Sequence, residues 1–461
     1  MAATLLAKRG MNVLVLDDER EDEPRPNLMT GLGSRAFKSL LGKLMIPDSK
    51  LAVVHENKTP CQVIFPKNRL DLSTSRPAFL KEIEREFPQE KGIVEELLVE
   101  IDQLRETYLE ELLSFFPIEG GEKKVFVKWY GRLNDEKVKS LWSQLSPTLQ
   151  SLIRIQIRFF SRGLLLDPLI LQMLLFLPPE GEASFSIRGG QRELKKIFFD
   201  KIDYFGGMVH PLGHEPFPIV VKGREVRGVQ LSRYNFPTRC RFLLGNTNIQ
   251  RLYQQIPNPL FAFRLGRTKK KITTLQPVER RSVVQYHLAK EVLPVPMKEN
   301  LVYVTDPAAP LQETNYLEIN LNNLPKGKGD SNGFDTLMTV TYGLPDDPGA
   351  EKSERAYEEI DFKLRRLLPF AGESLKRVYP RVEVSSGAEP ELFPSEQPPP
   401  PENSIVSFSP SLFFPTISSS FKNLFVLGPN LLDWLGMEGK MLSALRAVDL
   451  IWTQELKTKK G

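Results

Sequence analysis

The opening of the chain constrains the fold more than any other stretch. Ala2 to Arg9 is a run of good helix formers closed by two basic residues, and Gly10 stops it where a carboxyl-terminal glycine would. Asn12 to Asp17 follows as a short apolar run ending in an acid. Such a run, without polar alternation, has the profile of a strand buried on both faces of a parallel sheet. A helix, a glycine, a buried strand and a terminal acid in this order point to an α/β architecture.

The same order makes up the second half of a dinucleotide-binding βαβ unit, in which the acid holds a ribose hydroxyl about 20 residues beyond a glycine-rich turn. Counting back from Asp17 places that turn before Met1. The sequence therefore reads as entering the unit within its helix, without the first strand or the phosphate loop. An ordinary helix–strand pair of any α/β protein fits these seventeen residues equally well, and the rest of the chain must separate the two readings.

With 461 residues the chain has room for two or more domains. Its 41% hydrophobic and 26% charged content is that of an ordinary globular protein, and a net charge of +5 gives no argument for nucleic acid. Cys61, Cys240, His55, His210, His214 and His287 form no close ligand cluster in the sequence, so neither a structural zinc site nor a disulfide framework is expected. Lys8 and Arg9 break the amino-terminal apolar stretch, and it carries no signal-peptide cleavage pattern. The most apolar segment, Leu164 to Leu177, is interrupted by Asp167 and Pro168 and falls short of the ~20 residues of a spanning helix. The expected location is cytoplasmic, with peripheral contact at the inner membrane surface left open.

Cys61 to Ser73 reads as a hairpin turning at Pro66-Lys67-Asn68. Gly92 to Phe116 is the clearest amphipathic helix, with Val94, Leu97, Leu98, Ile101, Leu104, Tyr108 and Leu112 at three- and four-residue steps. Ser146-Pro147 and Asp167-Pro168 open two further helices. The first, Pro147 to Phe160, is apolar most of the way round, which predicts deep burial in preference to a lipophilic partner. Ile219 to Leu231 is a hairpin around Lys222-Gly223-Arg224, and Arg239 to Leu244 adds a strand. Strands at 301–304, 316–321 and 337–342 and a helix at 352–368 follow. Pro398 to Pro401 marks an exposed loop, Asn423 to Leu427 a buried strand, and Glu438 to Gln454 a final helix.

Four separated fragments, taken in order, resemble one family. They are Ala2 to Asp17; Ser186-Ile187-Arg188-Gly189-Gly190 with its helix and Gly206-Gly207-Met208-Val209; the 222–224 hairpin running on to Arg239 to Thr247; and Phe425-Val426-Leu427-Gly428 followed by Leu435-Gly436-Met437-Glu438-Gly439 and Ser443-Ala444-Leu445-Arg446-Ala447. This pattern is similar to the flavin-dependent oxidoreductases related to phytoene desaturases and carotenoid isomerases, within the amine-oxidase-like FAD superfamily. The resemblance spans nearly the whole chain. Its specificity lies in the order and spacing of the fragments, since no single motif is diagnostic.

The resemblance implies an α/β fold: a discontinuous Rossmann-like FAD-binding domain lacking its first strand (1–35, 181–250 and 416–461), a hairpin and helical insert facing substrate or membrane (36–180), and a mixed α+β substrate domain (251–415). It implies FAD as cofactor, with Asp17 on the ribose, the Val209 backbone at the adenine, and Gly428, Gly436, Met437 and Glu438 around the flavin and its phosphates. A glycine without Cβ at 436 lets the backbone approach a ligand, and the helix behind it aims unsatisfied N–H groups at the same point. The implied reaction is flavin-mediated hydride transfer with a lipophilic, polyene- or carotenoid-like small molecule; nucleic acid is not an expected partner, and the oligomeric state is open. No catalytic acid or base and no metal ligand is assigned, although His210 and His214 fall near the cofactor domain.

The chain departs from the family in three places. The glycine-rich phosphate loop is missing, Met29 to Arg35 only loosely echoes the family's second glycine segment, and Pro429-Asn430 stands where an acid usually follows Gly428. A relative without cofactor, acting as an interaction or scaffold protein, is the alternative these departures leave.

Overall fold

The fold is that of a computed structural model, which describes residues 1–17, 28–29, 40–47, 53–115, 135–161, 169–177, 184–187, 190–212, 216–232, 234, 236–247, 249–257, 269–270, 280–323, 335–344, 350–379, 419, 421–427 and 436–460. Helix α1 (Ala2–Lys8) leads into β1 (Leu14–Asp17). The turn between them is a Schellman motif: Gly10 has φ +79°, its N–H bonds Ala7 O at 2.9 Å, and the Met11 N–H bonds Leu6 O at 3.2 Å. Only a residue without Cβ takes that φ at little cost. After β2 (Leu28–Met29) and β3 (Val54–Asn57) comes the hairpin of β4 (Cys61–Ile64) and β5 (Arg69–Leu72), as the sequence predicts.

The helical region follows: α2 (Arg76–Glu86), α3 (Lys91–Phe115), α4 (Glu136–Gln144), α5 (Pro147–Ser161) and α6 (Leu169–Phe176). Asp135 caps α4 by accepting from the Val138 N–H at 2.9 Å. Helix α5 is buried as its apolar circumference predicts: Leu149, Leu152, Ile155 and Ile157 have no exposed surface. Each such side chain contributes about 1.5–3 kcal/mol. Even its charged members turn inward; Arg158 is 4% exposed and stacks over the Tyr316 ring at 4.5 Å.

Strand β6 (Ser184–Ile187) precedes α7 (Gly190–Tyr204) and β7 (Met208–Pro211). The turn from α7 into β7 repeats the device after α1. Gly206 has φ +77° and bonds Asp203 O at 3.0 Å, while the Gly207 N–H bonds Ile202 O at 2.9 Å. Then come β8 (Ile219–Lys222), β9 (Glu225–Val229), β10 (Thr238–Arg239), β11 (Leu243–Asn246), α8 (Ile249–Gln254), β12 (Arg280–Leu288), β13 (Asn300–Val304), β14 (Tyr316–Asn323), β15 (Thr336–Leu344), α9 (Ala350–Leu367), β16 (Leu375–Tyr379), β17 (Leu424–Leu427) and α10 (Gly436–Lys460).

These strands form five sheets among the described residues. Two are parallel pairs, β1 with β7 and β11 with β17; two are antiparallel triples, β2-β6-β3 and β10-β9-β8; the largest has the order β16-β12-β15-β14-β13-β4-β5. The predicted strand 239–244 is divided. Residues 238–239 pair with β9, whereas 243–246 turn away to pair with β17. The 61–72 hairpin, predicted beside the helices, joins the seven-stranded sheet through a parallel β4–β13 pairing. Strand β13 explains why this sheet is covered on both faces. Leu301 and Tyr303 face α9 with Ile360 and Leu364, while Val302 and Val304 enter the core shared with the helical region. The Tyr286 hydroxyl, on the α9 side, donates to Asp361, and burial followed by that carboxylate pushes the phenol far above its ordinary range.

Candidate functional site

Four contacts tie the parallel pairs to their surroundings. Lys8 near the end of α1 donates to Lys43 O, and Lys201 near the end of α7 donates to Met45 O at 2.9 Å. The two helices therefore end at one turn, each followed by a strand of the same parallel pair. Their amino termini lie on the side to which β1 and β7 point their carboxyl ends. At the opposite side, Arg9 pairs with Asp449 at 3.1 Å and Arg241 with Glu455 at 2.8 Å. The entries to β1 and β11 thus rest on neighbouring turns of α10. Gly436 starts that helix about 20 Å away, at 1.5 Å rise per residue. The carboxyl ends of β1 and β7 and the amino end of α7 face one side, where open parallel sheets bind ligands.

Asp17 closes β1 and stands opposite Pro211; its main-chain oxygen accepts from the Leu212 N–H at 2.6 Å. Its carboxylate Oδ1 meets Lys195 Nζ of α7 at 2.6 Å. Val209 stands opposite Val15, so it shares a sheet face with Asp17 one pleat repeat away. Gly436, Met437 and Glu438 form the first turn of α10, which begins two residues earlier than the sequence predicts. Gly428 lies outside the described residues, as do Arg188, Gly189 and His214. His210 is half-buried on β7 opposite Leu16. The structure thus brings Asp17 and Val209 onto one strand pair, with Lys195 of α7 against the Asp17 carboxylate.

Two features here escape sequence reasoning. Lys195 is one, because nothing local marks which lysine of an amphipathic helix reaches a strand formed about 180 residues earlier. The other is a cross-strand pair on β3 and β6, in which His55 Nε2 lies 2.8 Å from Ser186 Oγ. Ser186 is buried, and β6 ends just before α7 begins. Neither strand carries an alternation long enough to be read before folding.

Comparison with solved structures adds the architecture. The fold is shared with an oxidoreductase. That protein, from Methanosarcina mazei, superposes with a TM-score of 0.56 at 14% identity, over 97% of this chain and 96% of its own. A Pyrococcus furiosus protein matches with a TM-score of 0.51 at 13% identity, over 97% and 93% of the two chains. No protein-family model and no curated protein matches the sequence. Among the described residues no helix is long and apolar enough to cross a membrane, and no three or more His, Cys, Asp and Glu gather as a metal site.

Proposed function

We propose that this chain is an FAD-dependent oxidoreductase, with the dinucleotide seated across the carboxyl ends of β1, β7 and β17. The observation that carries the reading is the placement of Asp17: an acid at the end of a parallel strand, beside a second parallel strand and against the amino-terminal half of α7. The donor and acceptor set fits the cofactor. A carboxylate bonded to lysine through one oxygen keeps acceptor capacity for a ribose hydroxyl. The first turns of α7 and α10 offer N–H groups of the kind that bind pyrophosphate and flavin oxygens.

In this proposal Asp17 binds the ribose, Val209 meets the adenine through its main chain, and the first turn of α10, Gly436 to Glu438, serves the flavin end. Bound FAD supplies the hydride chemistry; the protein holds it and excludes water. The sequence resemblance extends the reading to a lipophilic, polyene-like substrate entering through the helical region, with peripheral membrane contact as its route. The oxidoreductase fold of the Methanosarcina neighbour supports the general class.

The test is reconstitution. Purified protein is titrated with FAD, following flavin fluorescence and the visible absorption band, and the complex is then reduced anaerobically. Saturable binding with a red-shifted, structured band and clean two-electron reduction is expected. Protein that is folded by circular dichroism and binds no FAD overturns the proposal and favours the interaction or scaffold reading.

A further inference from the structure

We infer that Lys195 is a positioning residue of the nucleotide site, holding the Asp17 carboxylate toward the ribose of a bound adenine dinucleotide. This inference rests on the reading of the site given above. Lys195 lies in the second turn of α7, and its Nζ is 2.6 Å from Asp17 Oδ1. Both side chains are largely removed from water, 29% and 17% exposed. The ammonium also lies 5.5 Å from the centroid of the Phe199 ring, one helical turn further on. It is thus fixed from two directions, by a carboxylate and by an aromatic face.

The arrangement has a consequence for binding. A lone carboxylate at a strand end rotates freely about χ2. Pairing one oxygen with a fixed ammonium sets the plane of the group and directs the other oxygen, so the ordering cost is met before the nucleotide arrives. The free oxygen of the carboxylate accepts hydrogen bonds from ribose hydroxyls. A purely architectural ion pair between α7 and β1 would do none of this; removing it would change stability and leave affinity alone.

The experiment measures FAD affinity, with ADP as competitor for the adenosine half, in the parent protein, Lys195→Met, Lys195→Arg, Asp17→Asn and the Asp17→Asn/Lys195→Met double variant. Thermal melts of all five accompany it. Lys195→Met is expected to weaken FAD and ADP at least tenfold. Lys195→Arg, which keeps the charge and reach, is expected to stay within about threefold of the parent. The double variant is expected to bind no worse than Asp17→Asn alone, because the lysine acts through the aspartate. Parent-like affinity in Lys195→Met overturns the inference and leaves the flavin site standing. So does an arginine variant as weak as the methionine one, or fully additive losses. A parent protein that binds no FAD overturns the flavin reading and this inference with it.

Discussion

Asn423 and Val226 share a pair of hydrogen bonds that imitates a strand pairing. The Val226 N–H donates to Asn423 Oδ1 at 2.8 Å, and Asn423 Nδ2 donates back to Val226 O at 2.8 Å. The same amide also reaches Arg241 O at 2.7 Å. A single side chain at the entry to β17 thus ties β9 and the lead-in to β11 to the carboxyl-terminal parallel pair. Asn423→Ala leaves the groups of the buried Val226 without these partners, an expected loss of about 2–4 kcal/mol. Urea unfolding of parent and variant measures it; a change below 1 kcal/mol would mean that water replaces the amide.

Two glycines of the adjoining hairpin are expected to respond differently to alanine. Gly223 has φ +62° with open space where a Cβ would lie, so Gly223→Ala meets only the left-handed penalty of about 1–2 kcal/mol. At Gly228 a Cβ would stand 2.3 Å from Thr238 O, against the backbone of β10. Gly228→Ala must part β9 from β10 and is expected to cost more, about 2–4 kcal/mol. Parallel denaturation curves decide the ranking.

Arg105 fastens α3 to the end of α6. Its Nε donates to Leu174 O at 2.8 Å and Nη2 to Leu177 O at 2.7 Å, while Nη1 pairs with Asp102, which also binds Arg76 of α2. The guanidinium satisfies carbonyls that a helix end leaves open. With the side chain 6% exposed, Arg105→Met is expected to cost about 3–5 kcal/mol, since it strands both the carbonyls and part of the Asp102 charge. Arg105→Lys recovers less than half, because one ammonium cannot span two carbonyls and a carboxylate. Chemical denaturation with amide exchange at α6 checks both.

Local patterning carried far along this chain. Gly10 and Gly206-Gly207 mark two helix ends in the sequence, and each is followed by a strand of the β1–β7 pair. The apolar circumference of 147–160 announces burial, and Lys222-Gly223-Arg224 announces a hairpin, because these features depend on residues a few positions apart. Strands β12 and β16 pass unread although Val284, Tyr286 and Leu288 alternate inward, since the covering helix α9 that gives the alternation meaning lies about 70 residues later. The break at Cys240 also has no local signal. It arises because β10 and β11 find partners in different sheets.

The sequence by itself determined the helical or extended character of α1, β1, α5 and the β8–β9 hairpin, and which acid ends the first strand. Backbone preference and side-chain period act over a turn or two, and such information survives in one dimension. Only the tertiary structure decided that Asp17 lies beside Val209, that Lys195 grips its carboxylate, and that α10 pairs with the entries to β1 and β11. Those relations join residues hundreds of positions apart. They are fixed by hydrogen-bond register between strands and by the packing of α1 against α7 and α10, neither of which exists until the chain has closed on itself.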